Sequence, residues 1–307
     1  MSKIIPPTIS IIIPVYNSAQ YIYRCLRSIK VQENHDFEVI IINDGSTDNS
    51  GDICERFAQN DKRFFVYHKK NEGVSIARNY GLNKARGKWV AFVDSDDEIS
   101  QSFLTIPPYL EDNDVIQKSH LRIDSNGNKI FYSVKNKTLV THKEIGYYWV
   151  NKRTNALWDK LIKREIINNI RFIPKVEISE DFLFFTSALL NIKKYAFCDI
   201  GYYTYFIREH SAMGNFKDNR KNISITFNHL NIVRKLEVND YMTHVGESLV
   251  YGYFILTLWR LRYELTLPEK QNLRNMITSI KFSYLDLLNW KTKAKLILIK
   301  LFFQYIQ

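Results

Sequence analysis

The sequence predicts an α/β fold, a mainly parallel sheet with helices on both faces, followed by a helical C-terminal region. Four apolar runs carry this: ISIIIPV (Ile9–Val15), FEVIII (Phe37–Ile42), RFFVYH (Arg63–His68) and KWVAFV (Lys88–Val93). Their starts lie 28, 26 and 25 residues apart, and each gap has room for one helix, over Ala19–Val31, Asp48–Gln59 and Val74–Ala85. The runs are nearly continuous in hydrophobicity, as strands covered on both faces must be. Asn17 or Ser18, and Ser46 or Thr47, are cap candidates for the first two helices.

In a parallel sheet, ligands bind beyond the carboxyl ends of the strands. The polar clusters fall there: PVYNSA, NDGSTDNS, KKNEGVSIARN and DSDDE. Turn chemistry accounts for NDGS but not for four neighbouring acids. Further along, DVIQKSHLRI reads as a strand, DSNGNK as a hairpin tip with Asn126-Gly127, and Phe197–Met213 as a last strand and loop. Helical patterns cover HKEIGYYWV, LWDKLIKREII, SEDFLFFTSALLNI and everything beyond Asn215. This divides the chain into residues 1–214 and a helical region at 215–307.

The formal charge of +11 is uneven: residues 201–307 hold 15 Lys and Arg against 8 Asp and Glu, and the first 200 hold 28 against 24. Such an excess attracts anionic lipid or an anionic substrate. No nucleic-acid-binding signature accompanies it, so nucleic acid is not an expected partner. Cys25, Cys54 and Cys198 are too few and too scattered for a disulfide framework or a zinc site, and they fit reduced thiols in the cytoplasm. The N-terminal apolar run carries prolines and lacks a small-residue cleavage site, so it reads as a strand rather than a signal peptide.

Several side chains have the chemistry for a site. Asp94 and Asp96 are two apart, so in extended chain their carboxylates face one side. An acid pair together with two phosphates is how proteins hold Mg2+ or Mn2+. Asp97 suits a helix cap. Asp44 can accept from the imide of a uracil ring or bind its own turn, and Tyr16 can stack on a base or simply pack. Arg78 can reach a pyrophosphate with its planar fork or be an ordinary exposed helix arginine. Glu180 and Asp181 complement a helix dipole, and the same position keeps a carboxylate ionised as a general base needs. Trp158 can stack on a sugar or anchor a helix, and Arg208, His210 and Ser211 form a polar patch.

ISIIIPVYNSAQYIYRCLRSIKVQ, FEVIIINDGSTDNS, NEGVSIARNYGLNKARGKWVAFVDSDD, LWDKLI, SEDFLF and YTYFIREHSAM, in this order, resemble family 2 glycosyltransferases of the GT-A fold over roughly residues 8–213. The resemblance implies transfer of a sugar from a nucleotide diphosphate donor, usually a UDP-sugar, with inversion. It implies Pro14, Tyr16 and Asp44 around the nucleoside and Arg78 near the diphosphate. Asp94 and Asp96, with Ser95 between them, become the D-x-D triplet that binds ribose and a Mn2+ or Mg2+ ion. Asp181 becomes the base, supported by Glu180. Trp158, Arg208 and His210 fall to the acceptor side, where a saccharide or lipid-linked saccharide of cell-surface polysaccharide synthesis is expected. Phe206 stands where relatives often have an arginine, two residues before Arg208.

Two other readings are an inactive sugar-nucleotide-binding partner subunit and a nucleotidyltransferase, which shares the sheet and the acid pair. Intact Asp94, Asp96 and Asp181 oppose the first; PVYNSA lacks the glycine- and basic-rich loop that the second needs. The tail, Asp286–Gln307, sets Lys291, Lys293, Lys295 and Lys300 beside a dense apolar end too short to cross a bilayer. It suits an interfacial helix on an anionic inner membrane surface, or a helix packed on the body or in a homodimer.

Overall fold

The computed structural model describes residues 6–152, 156–176, 180–208, 219–235 and 240–303. In chain order the elements open with β1 (Ile9–Val15), α1 (Ile22–Lys30), β2 (Phe37–Asp44), α2 (Ser50–Asn60), β3 (Phe64–Lys69), α3 (Val74–Lys84) and β4 (Trp89–Phe92). There follow β5 (Glu98–Ile99), β6 (Val115–Ile123), β7 (Lys129–Tyr132), β8 (Lys137–Leu139), α4 (His142–Lys152), β9 (Lys160–Lys163), α5 (Glu180–Ala188) and β10 (Tyr195–Phe206). The rest is helical: α6 (Asn219–Lys235), α7 (Asp240–Leu249), α8 (Leu256–Arg260), α9 (Leu267–Thr278) and α10 (Trp290–Phe303). The chain divides into two units, residues 1–140 with 155–209, and residues 141–154 with 210–307. Helix α4 therefore groups with the C-terminal helices, which a boundary at 214 does not anticipate.

The first unit holds a sheet in the order β3-β2-β1-β4-β9-β6-β10-β5, with β7 on β6 and β8 on β10. Strands β3, β2, β1 and β4 are parallel neighbours. Their hydrophobicity is continuous because both faces are covered. Ile9, Ile11 and Ile13 share one cluster with Ile22, Cys25, Leu26 and Ile29 of α1. On the other face Ile12 meets α3 at Gly81, where a β-carbon would collide with the isoleucine. Glycine there lets the helix lie close to the sheet.

Beyond β4 the sheet changes direction. Strand β9 is antiparallel to both β4 and β6, and β10 is parallel to β6. Ile123 and Phe206 therefore end at the same edge as Val15 and Asp44. The expected hairpin is present: β7 folds back on β6, Asp124 accepts from the backbone N–H of Asn126 and Asn128, and Gly127 is left-handed with φ 80°.

Three expectations are corrected. LWDKLIKREII is not a helix: Lys160–Lys163 forms β9, followed by a 3₁₀ turn over Arg164–Ile167, because Leu161 and Ile162 fill a slot between two strands. Asp97 caps no helix, since β5 follows it. The cap candidates do not cap; they join loops. Asn17 Oδ1 accepts from Thr47 N–H at 2.8 Å, Ser46 Oγ accepts from Asn17 N–H at 3.1 Å, and Ser18 N–H donates to Ser50 Oγ at 2.7 Å.

The second unit is all helical in its described residues, with a π-helical turn over Val250–Ile255 between α7 and α8. Val250, Tyr251, Phe254, Ile255 and Leu258 are buried, as its density of large apolar residues requires. Among the described residues no helix is long and apolar enough to cross a membrane. Helix α10 buries Leu296 and Ile299 and exposes Trp290, Ile297, Leu298 and Leu301.

Candidate active site

The loops that leave β1, β2, β3 and β4 enclose a cleft of about 340 Å³. Pro14, Tyr16, Asp44, Asp94, Ser95 and Asp96 line it, together with Val15, Asn71, Gly73, Val74 and Ala77. Tyr16 is half exposed, a flat ring at the mouth. Asp44 does not bind its own turn; Asn43 does that, accepting from Ser46 N–H at 3.0 Å. The buried Asp44 carboxylate instead accepts from Lys69 Nζ at 2.5 Å, Glu72 N–H at 3.1 Å and Gly73 N–H at 2.8 Å. It thereby fixes the start of α3, where Gly73 is left-handed with φ 92°.

Arg78 lies one turn into α3 and is buried, not an exposed helix residue. Nη2 donates to Asp94 Oδ1 at 2.9 Å, and Nη1 donates to Glu180 Oε1 at 2.8 Å and Asp181 Oδ1 at 2.9 Å. One guanidinium thus joins the acid triplet after β4 to the acid pair that opens α5. Beneath it, Phe172 and Phe184 stack at 4.1 Å, and Phe92 meets both edge-on. Burial opposes the arginine's charge, but its three carboxylates more than offset this and raise its pKa.

A single cation does not balance that many acids. Burial pushes the Asp181 carboxyl up to about 7; Glu180 and Asp94 add to this, while Arg78 and the Leu157 N–H hold it down. Asp96 is raised by burial and by Asp94, with Arg208 and Arg24 opposing. Asp97 is raised well above the carboxylate range by burial and by Asp96 and Asp94. It faces inward, accepting from the Tyr203 hydroxyl at 2.8 Å and Phe206 N–H at 2.9 Å. The same hydroxyl accepts from Asp94 N–H at 3.1 Å, so Tyr203 sets the height of the acid loop.

Two arginines hold the loop from outside. Arg208 pairs with Asp96 Oδ2 at 2.8 Å and donates to the Asp96 carbonyl at 2.6 Å, its guanidinium 3.4 Å from the Tyr21 ring centre. Arg24 donates to the same carbonyl at 3.1 Å and lies 3.9 Å from the Phe206 ring centre. Where relatives often have an arginine, Phe206 is thus the surface on which Arg24 rests.

Residues 10–175 match the family model for glycosyl transferase family 2. The chain belongs to that family. It is 31% identical over 260 residues to an uncharacterized glycosyltransferase, YibD, of Escherichia coli strain K12, covering 80% of this chain and 74% of the relative. It is 33% identical over 180 residues to the glycosyltransferase GlyG of Streptococcus pneumoniae serotype 4, covering 53% of this chain and 59% of that one. Among solved structures, S. aureus TarS 1–349 in complex with UDP superposes with a TM-score of 0.65 at 22% identity, over 94% of this chain and 82% of that one. The mannosyltransferase PcManGT from Pyrobaculum calidifontis, in complex with GDP-Man and Mn2+, does so with 0.54 at 15%, over 97% and 88%. This family 2 chain has the GT-A fold, and its family membership sets aside the nucleotidyltransferase reading.

Of the residues named for acceptor contacts, Trp158 is buried. It stacks on Tyr203 at 4.5 Å and Tyr205 at 5.4 Å and meets His120 edge-on at 5.0 Å. It occupies the turn before β9 rather than a helix. His210 lies outside the described residues. Sequence reasoning missed Lys69, Tyr203, and the buried pair Asp159 and Lys160, whose 2.6 Å contact fixes the Trp158 turn. The adjacent Asp-Lys in LWDKLI was the one available signal, and it reads as an exposed helix face until β9 buries it.

As to a metal, Asp94 and Asp96 present hard oxygen donors beside the cleft, and the nearby Asp94 charge, which adds to burial in raising Asp96, is what a dication relieves. Among the described residues no group of three or more metal-ligating side chains is assembled. The protein's share fits a pair of carboxylates completed by substrate oxygens.

Proposed function

We propose that this family 2 glycosyltransferase is an inverting, metal-dependent enzyme that transfers a hexosyl or N-acetylhexosaminyl group from a UDP-sugar. Its acceptor is a hydroxyl of a saccharide or lipid-linked saccharide in cell-surface polysaccharide synthesis. The observation that carries the reading is the Arg78 hub, which holds Asp94 of the D-x-D triplet and Asp181 at 2.9 Å from one guanidinium. Donor-side and base-side carboxylates are thereby fixed relative to each other, as in-line attack requires.

In this reading Tyr16 carries the base, Asp44 accepts the imide N–H, and Asp94 and Asp96 hold Mn2+ or Mg2+, which neutralises charge on the diphosphate. Asp181, opposite the leaving group, removes the acceptor hydroxyl proton, and Glu180 keeps Arg78 from neutralising Asp181 alone. Attack from that side turns an α-linked donor into a β-linked product. The test is UDP release from a panel of UDP-sugars with Mn2+, repeated with Asp94→Ala. One donor consumed by the wild type and not by the variant supports the reading. Equal turnover by both, or none with any donor, removes it.

The open apolar side of α10, with Lys291, Lys293 and Lys295 near it, supports a second site of action, an anionic membrane surface. Leu298→Ser with Leu301→Ser lowers co-sedimentation with phosphatidylglycerol vesicles if this is right and leaves it unchanged if α10 serves only packing.

A further inference from the structure

The hairpin formed by β6 and β7 extends the sheet past the point where β9 ends. The register Tyr132↔His120↔Tyr203 and Ile130↔Arg122↔Tyr205 puts these six side chains on one face, the face that Trp158 covers and on which Tyr203 reaches Asp97. Its inner part is closed: His120 is buried, stacked on Tyr132 at 4.6 Å. Its outer part is open: Tyr132 is 41% and Ile130 56% exposed, and Arg122 and Tyr205 are half-buried.

This face leads to the candidate base. Trp158 stacks on Tyr203, whose hydroxyl meets Asp97 and the Asp94 N–H, and Asp94 shares Arg78 with Asp181. Tyr205, in the outer row, immediately precedes Phe206, whose N–H donates to Asp97 at 2.9 Å. A glycan seated on the hairpin and running toward the acid loop would pass over Tyr205. Half-exposed aromatic rings offer flat apolar area at little entropic cost, as sugar faces require.

Arg122 adds the chemical selection. Its guanidinium stands 4.9 Å from the Tyr132 ring centre, and among the described residues no carboxylate pairs with it. Its Nε is buried with no hydrogen-bond partner, and so is Nε2 of the adjacent His120. Arg24, Arg78 and Arg208 at this edge each have a carboxylate or carbonyl partner, so the half-buried Arg122 fork is the one left with charge to offer a ligand among these four. A planar fork on an aromatic ring matches a phosphate or carboxylate.

We infer that this face is the acceptor subsite, and that the acceptor it takes is an anionic glycan, bearing a phosphate or carboxylate that Arg122 holds while Tyr132 and Tyr205 carry the sugar. The inference rests on the transferase reading for its direction, but its test does not need turnover.

The full chain is titrated by calorimetry or ligand-observed NMR with glucose 6-phosphate, the methyl glycoside of glucuronic acid, neutral methyl glucoside and inorganic phosphate, each with and without UDP and Mn2+. The expected result is that the anionic sugars bind better than the neutral one and than phosphate alone, and that UDP does not displace them. Arg122→Gln weakens the anionic sugars roughly tenfold. Arg122→Lys keeps the preference, and the exposed Tyr132→Ala weakens both sugar classes by a few-fold, roughly. Thermal melts of each variant confirm folding. The inference is overturned if no probe binds at about 10 mM, if charge makes no difference, if both Arg122→Gln and Tyr132→Ala bind like wild type, or if UDP competes. Failure to bind UDP in the same series would count against the donor reading alone.

Discussion

At the amino edge of the parallel strands, Glu38 has one arginine to itself. Its carboxylate accepts from Arg86 Nε at 2.9 Å and Nη2 at 2.6 Å, and also from Arg86 N–H and the Ser10 hydroxyl. At the carboxyl edge Arg78 is divided among Asp94, Glu180 and Asp181, and Asp96 leans on Arg208. The first arrangement is complete by itself and holds Arg86 and Gly87 in place before β4. The second leaves carboxyls raised above their ordinary range, Asp181 to about 7. The same residue types therefore build a fastening at one end and, at the other, a site whose charge is balanced only when cationic or proton-bearing groups join it.

That contrast can be broken from either side. The largest effect is expected at Asp181→Asn, which keeps the side-chain shape and removes the base: transfer falls by about 10²–10⁴-fold, while UDP affinity, measured on the same sample, stays within a few-fold. Next is Arg78→Gln. Removing the shared cation strands three carboxylates, at a cost of about 3–5 kcal/mol, read as a lowered denaturation midpoint. The loss shrinks as the pH is lowered, because the stranded acids then take up protons. At the other edge, Arg86→Met costs about 1–3 kcal/mol, because the buried Glu38 carboxylate keeps the residue 86 N–H and the Ser10 hydroxyl, and transfer is unchanged.

The smallest effect sharpens the comparison through pH. Asp181 is raised in the folded state, so it favours folding below its ordinary value of 3.8, and that contribution declines as the pH rises through about 7. Activity runs the other way, since the base works ionised. The log of kcat/KM is expected to rise with pH up to about 7 and then level off, and a profile flat across that range would remove Asp181 from the role.

The parallel half of the sheet was legible because strands buried on both faces write themselves as unbroken apolar runs at regular spacing. The acid triplet was legible because its members are adjacent. What joins the site was not. Arg78 meets Asp181 across 103 residues of chain, and nothing local in SIARN distinguishes a buried hub from a surface arginine. Strand β9 was hidden for a related reason: Lys160 and Lys163 at its ends mimic a helix face, and only its neighbours β4 and β6 make Leu161 and Ile162 a strand. Asp97 looked like a cap because its donor, the Tyr203 hydroxyl, lies 106 residues away.

The most direct measurement is a carboxyl-detected NMR titration of aspartate-labelled protein without substrate, with Asp181→Asn used for assignment. The resonance lost in that variant is predicted to titrate at about 7, and further aspartates of the acid loop above the ordinary carboxylate range. If that resonance titrates near 3.8, the carboxyl edge is as well balanced as the amino edge, and the account of the site is wrong.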